Sequence, residues 1–173
     1  MKKGFTLLEL LIVIVVIGIL AAVSVPRLMS FIDEGKRGAA TAELDAIKGA
    51  SRLYLMHTGK YPGHVAELVV NKTNGTGPAI SGWKGPYMED AVEEVTKDPW
   101  ENEYKIYDKQ LDADGNPVNG TFNINGKPLC GILIVSFGPN GVDDGKGATY
   151  SDDGDDIFKW LKFDGEPLAT GGE

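Results

Sequence analysis

Fourteen residues in the C-terminal third hold six aspartates: Asp143 and Asp144, then Asp152, Asp153, Asp155 and Asp156. Carboxylates this dense repel one another unless water solvates them or a cation neutralises them. Calcium takes roughly six to eight hard oxygens, which carboxylates and the carbonyls of a bent, Gly-rich loop can supply. Neither His nor Cys lies nearby, which argues against zinc or a redox metal. On composition, a calcium loop and a solvated acidic loop stand equally open. Asp112, Asp114 and Asn116 also alternate as in a calcium loop, but Pro117 and the missing distal Glu favour a hairpin turn. Nothing points to catalysis. The chain has no Gly-x-x-x-x-Gly-Lys-Ser/Thr loop, no Gly-x-Ser-x-Gly elbow and no His-Glu-x-x-His. His57 and His64 lack a carboxylate or Cys at ligand spacing, so surface or capping roles are expected of them.

One further carboxylate, Glu9, stands where chemistry disfavours it. From Phe5 to Val25 only Thr6, Glu9, Gly18 and Ser24 interrupt an apolar run. As an α-helix, about 21 residues rising ~1.5 Å each span roughly the ~30 Å hydrocarbon core of a bilayer. Lys2 and Lys3 precede the run, so the N-terminus should stay cytoplasmic and the rest should face outward. A charge inside such a segment is costly and needs a functional reason. A cleavable signal peptide would explain the lysines and Ala21-Ala22 but not Glu9, and the helical pattern continues past any cleavage point.

The element that positions these residues is one long helix. Beyond Pro26, residues Ala40, Leu44, Ile47, Ser51 and Tyr54 recur at the three- and four-residue steps of an amphipathic helix. Gly59 and Pro62 stop it. Pro26 should kink or loosen the helix, and Gly35, Gly38 and Gly49 should weaken it unless close packing needs small residues there. Past the helix, alternating residues from Tyr104 to Tyr107 and from Thr121 to Ile124 read as strands. The apolar stretch from Gly131 to Ser136 fits a strand buried on both faces. The net charge is −8, and an acidic chain is a poor nucleic-acid binder. Cys130 is the only cysteine, so no intramolecular disulfide can form, and its apolar neighbours make it a buried packing residue.

Lys2-Lys3-Gly4 followed by Phe5-Thr6-Leu7-Leu8-Glu9 resembles the leader and mature start of the type IV pilin superfamily. The resemblance implies that a prepilin peptidase cuts between Gly4 and Phe5 and methylates the new N-terminus. It further implies that Glu9 pairs with the N-terminal amine of a neighbouring subunit, and that the helix melts between Gly18 and Pro26 in the filament. Lys97-Asp98-Pro99-Trp100-Glu101-Asn102-Glu103-Tyr104 and Gly85-Pro86-Tyr87-Met88 are similar to segments of the major (G-type) pseudopilin family of type II secretion systems. Ser136-Phe137-Gly138-Pro139-Asn140-Gly141 and Asp155-Asp156-Ile157-Phe158-Lys159-Trp160 resemble the two ends of that family's calcium loop. Carried over residue by residue, the ligands of Ca2+ are the Phe137 and Val142 carbonyls, Asn140, Asp155 and Asp156. Asn140 stands where the family has Asp and the loop is several residues longer, so Asp143 or Asp144 could supply the missing charge.

The expected fold is α+β. A leader (1–4) precedes a spine helix (5–58, transmembrane over about 5–25) and a head (59–173) with a small antiparallel sheet and a C-terminal calcium loop. By resemblance the chain is a homopolymerising pseudopilin, held in the inner membrane with its head in the periplasm before it joins the pseudopilus. Its implied partners are minor pseudopilins, an inner-membrane assembly platform and the prepilin peptidase. Alternatives from other classes are a surface type IV pilin and a membrane-tethered calcium-binding domain.

Overall fold

The computed structural model describes residues 6–111, 117, 119–151 and 154–165. The leader residues with Gly4 and Phe5, the Asp112-Asp114-Asn116 turn, and Asp152 and Asp153 lie outside these. Helix α1 spans Leu7–Thr58. Its assignment continues through Gly18, Pro26 and Gly35 without a break, although a proline supplies no N–H to the helical ladder. At Gly18, Gly35, Gly38 and Gly49 an added Cβ would meet nothing within 4 Å, so packing within the chain does not explain these glycines.

The chain divides into two units, Met1–Lys36 and Arg37–Glu173. The boundary falls inside α1 because burial begins just beyond it. Ala40, Leu44, Ile47, Ser51 and Tyr54 are each at most 1% exposed, the stripe that a 3.6-residue period lays along one face. The first unit has no such stripe. Leu7 to Ile17, Ile19, Leu20, Leu28, Phe31 and Ile32, with Glu9 among them as the one charged exception, present apolar side chains that no other described residue covers. Among the described residues this is the one helix long and apolar enough to cross a membrane.

In the second unit, α1 is followed by 3-10 turns at Val65–Leu68 and Thr73–Gly75, then by the short helix α2, Val92–Val95. The sheet contains β1 (Lys105–Lys109), β2 (Phe122–Ile124), β3 (Lys127–Ser136), β4 (Thr149–Tyr150) and β5 (Ile157–Gly165). β3 is the central strand and pairs antiparallel with β1, β2 and β5. The expectation of a purely antiparallel sheet is corrected at one place, because β4 runs parallel to β2. The chain crosses over between these two short strands through β3 and the acidic loop instead of turning back directly. A two-residue turn, Asn125-Gly126, joins β2 to β3 with φ of 51° and 82°. Positive φ at both central residues is what a type I′ hairpin requires, and Asn-Gly supplies it at least cost.

β3 is buried on both faces, as its uninterrupted apolar run suggests. Ile132 and Ile134 join Leu44, Ile47, Ala50 and Tyr54 of α1, with Leu68 and Leu161, in one core. Leu133 and Val135 face Phe122, Ile124 and Tyr150 in a second core. Cys130 is fully buried, and that burial, with Asp164 nearby, pushes its thiol pKa up. Side-chain hydrogen bonds reinforce the α1 contact. The Tyr54 hydroxyl donates to buried Glu67 (2.7 Å) and the Tyr104 hydroxyl to Glu43 (2.6 Å).

Candidate functional site

In the first unit the candidate residue is Glu9, and the sequence around it builds a local solution for its charge. The Thr6 N–H and hydroxyl both donate to Glu9 Oε2 at 2.9 and 2.8 Å. The Glu9 N–H in turn donates to the Thr6 hydroxyl oxygen at 3.2 Å. This reciprocal arrangement is a capping box, Thr-x-x-Glu, which satisfies donors that the first helical turn leaves orphaned. In the sequence alone Thr6 reads as an interruption of the apolar run. The three-residue spacing to Glu9 ahead of an apolar segment was the available signal. Gly18 and Pro26 lie within α1 further along.

The second candidate is the acidic loop between β3 and β5, and its framework comes from the Asp98 segment. Asp98 is 4% exposed. Its Oδ1 accepts the N–H groups of Trp100 and Asn102, and its Oδ2 accepts the Ser136 hydroxyl at 2.6 Å, at the end of β3. Asn102 donates from Nδ2 to the Gly138 carbonyl at 2.8 Å. Gly138 has φ 58°, and a Cβ there would collide with the Asp155 carbonyl, so the two ends of the loop touch at a point where only glycine fits. The sequence grouped these segments only by likeness. Their physical connection is a buried carboxylate that bonds to both.

Within the loop, Asn140 Oδ1 accepts the Val142 N–H (2.7 Å) while its Nδ2 donates to Asp144 Oδ2 (3.0 Å). Asp143 turns to the tyrosines and accepts from the Tyr107 and Tyr150 hydroxyls at 2.5 and 3.2 Å. Asp144, Asp155 and Asp156 line one cavity of about 210 Å³ together with Gly145, Thr149, Tyr150, Ser151 and Gly154. Phe137, Asn140 and Val142 do not line it. The Phe137 ring packs on the second core, and Val142 is exposed. Among the described residues no three Asp, Glu, His or Cys side chains converge at metal-ligand spacing. A cation there would therefore also draw on other oxygens, from the backbone or from water.

Asp156 is the buried carboxylate of this cluster. The residue is 7% exposed, and its Oδ1 is buried without a hydrogen-bond partner. Burial pushes its pKa up to about 6, opposed by the Gly145 N–H and reinforced by Asp155, Asp143 and Asp144. Burial and the adjoining Asp144 carboxyl push Asp155 upward as well. Carboxyls crowded in this way resist ionising together, and a hard cation reverses that preference. The donor set, all oxygen, suits calcium.

The two histidines are placed by geometry that sequence spacing does not reveal. His64 Nδ1 accepts the Ala66 N–H and caps the 3-10 turn at Val65–Leu68. Its Nε2 lies 2.9 Å from Glu103. His57 Nδ1 meets the Tyr87 hydroxyl at 3.1 Å.

Residues 27–153 match the family model described as type II secretion system (T2SS), protein G, and residues 1–25 match the prokaryotic N-terminal methylation motif. The type II secretion system core protein G of Pseudomonas aeruginosa is 32% identical over 162 residues, covering 92% of this chain and 95% of its own. The core protein G of Klebsiella pneumoniae is 29% identical over 161 residues, covering 92% and 94%. The crystal structure of the major pseudopilin from the type 2 secretion system of enterohaemorrhagic Escherichia coli aligns with a TM-score of 0.48 at 22% identity. That alignment covers 77% of this chain and 89% of the other.

Proposed function

The chain belongs to the type II secretion system protein G family, and from that membership we propose that it is the major pseudopilin of such a system. Its role is structural rather than enzymatic. Subunits are held in the inner membrane by the first part of α1, with the head in the periplasm, after the prepilin peptidase has cut between Gly4 and Phe5. They then polymerise into a periplasmic pseudopilus together with minor pseudopilins and an inner-membrane assembly platform.

The observation that carries this reading is that Leu10 to Ile17, Ile19, Leu20, Leu28, Phe31 and Ile32 of α1 are apolar and covered by no other described residue, on a helix whose start overlaps the methylation motif matched at residues 1–25. Lipid can cover such a surface before assembly and neighbouring helices can cover it afterwards. Glu9 is then the polar residue that distinguishes the two states. In the single chain Thr6 bonds to it, and in the filament a neighbour's N-terminal ammonium pairs with it, which makes a low-dielectric carboxylate tolerable.

In the head, the residues that fit calcium are Asp144, Asp155 and Asp156, which line one cavity, whereas Phe137, Asn140 and Val142, implied by the resemblance, lie outside it. The support is the buried, unpartnered Oδ1 of Asp156, a residue that lines one cavity with two further carboxylates. When bound, the ion supplies the positive charge that lets these groups ionise together. Asp98, Ser136 and Asn102 hold the start of the loop in place for it.

A Glu9→Leu chain tests the assembly reading. It is expected to insert in the membrane at normal levels yet to yield no filaments by electron microscopy of sheared material and no secretion. Normal filaments from this variant would overturn the assembly role and leave α1 as an anchor.

A further inference from the structure

Arg37 is the first residue of the head unit, and neither the family match nor the capping and metal geometry gives it a task. It lies half-buried on α1, where Nη2 donates to the Gly154 carbonyl at 3.2 Å and Nη1 to the Asp155 carbonyl at 3.4 Å. Those two successive peptide groups lead directly into Asp155 and Asp156. A guanidinium aimed at the carboxylates would compete with a cation. Arg37 instead bonds backbone oxygens and does not line the carboxylate cavity. Its planar fork suits two adjacent acceptors and fixes the peptide planes that aim both side chains.

The helix around Arg37 is intrinsically weak. Gly35 and Gly38 flank it, and glycine is the poorest helix former after proline. Neither glycine has a neighbour within 4 Å of where a Cβ would stand, so no tertiary contact at those positions offsets the weakness. The Thr41 hydroxyl bonds back to the Arg37 carbonyl at 2.9 Å, a contact that tends to bend a helix. The next side-chain tie between α1 and β5 is Asp45 with Lys159 at 3.1 Å, two turns further on.

We propose that Arg37 couples calcium occupancy of the acidic loop to the order of α1 around Gly35 and Gly38. The proposal rests on the calcium reading above. An ion held by Asp155 and Asp156 orders the peptides at Gly154 and Asp155, and their carbonyls then hold the guanidinium and the weak turn that carries it. Without the ion the carbonyls are free to turn away, and that turn frays. The coupling is reciprocal, so the Arg37 contact raises calcium affinity by the same factor by which calcium strengthens the contact.

The test uses the full chain in detergent micelles, with amide hydrogen exchange read across residues 35–41 in calcium and in EGTA. Calcium binding is measured by titration calorimetry on the same samples. In the parent chain, calcium should slow exchange at these amides about tenfold, the scale of one charge-assisted hydrogen bond. In Arg37→Gln, at saturating calcium, that slowing should vanish, and calcium should bind about tenfold more weakly. Lys159→Gln removes the other tie without touching the loop and should keep both properties. A parent chain that binds calcium but shows no change at residues 35–41 would sink the coupling while leaving the metal site intact. So would an Arg37→Gln chain that keeps the effect, or a Lys159→Gln chain that loses it. A parent chain that binds no calcium would sink both.

Discussion

Single residues carry more than one obligation here, and Thr6 shows it most clearly. Its hydroxyl both donates to Glu9 Oε2 and accepts the Glu9 N–H. Replacing it with alanine removes both contacts and leaves only the Thr6 N–H to hold the carboxylate. N-cap losses of this kind cost ~1 kcal/mol. Thr6→Ala should therefore fray the first turn of α1, with faster hydrogen exchange at residues 7–10 and unchanged melting of the head. Unaltered exchange at these amides would mean that the capping box contributes nothing in micelles. Asp98 has a comparable double role further along. One oxygen shapes its own turn through Trp100 and Asn102, and the other holds Ser136 at the end of β3. The sequence showed Asp98 only as part of a resemblance. Its contact with Ser136 spans residues far apart in the chain, which no local spacing encodes.

At the scale of elements, α1 is a single helix with two surfaces of different kinds. Leu44 is fully buried against the sheet, while Leu53, nine residues on, is half exposed. Leu44→Ala should cost roughly 2–5 kcal/mol, the range for deleting a buried leucine with little room to collapse. Leu53→Ala should lie within ~0.5 kcal/mol of the parent. Urea titrations of both variants, followed by tryptophan fluorescence, would check the contrast. Equal losses would mean that the exposed face of α1 is covered in solution. This stripe was legible in the sequence because a 3.6-residue period is a local property. The strand character of residues 131–136 was legible for the same reason. The parallel pairing of β4 with β2 was not, because β4 is two residues long and carries no period to read. Much of the candidate site was also hidden. Asp155 and Asp156 stood out as charges, but the turning of Asp143 toward Tyr107 and Tyr150 depends on how β1 meets the loop.

For the whole molecule, one question is how a head with a single cysteine, and so no internal disulfide, holds together. Two cores on either face of β3 supply most of the cohesion. They leave the acidic loop as the segment with the most like charge. In a chain of net charge −8, that concentration of carboxylates is where a bound cation should count most. A ligand that binds only the folded state adds ~2.7 kcal/mol at a hundredfold excess over its Kd, which for a unit of this size raises the melting midpoint by roughly 10 °C. The full chain in detergent, melted by near-ultraviolet circular dichroism, should therefore show such a rise in calcium relative to EGTA. Sodium chloride at matched ionic strength should give only a small part of it, because screening weakens repulsion without binding. Magnesium should also give little, because it demands compact octahedral geometry and keeps its water. An unchanged midpoint in calcium would remove the metal site. An equal rise with all three salts would reduce the loop to a screened acidic surface, and the ordering of α1 through Arg37 would then have no ion to drive it.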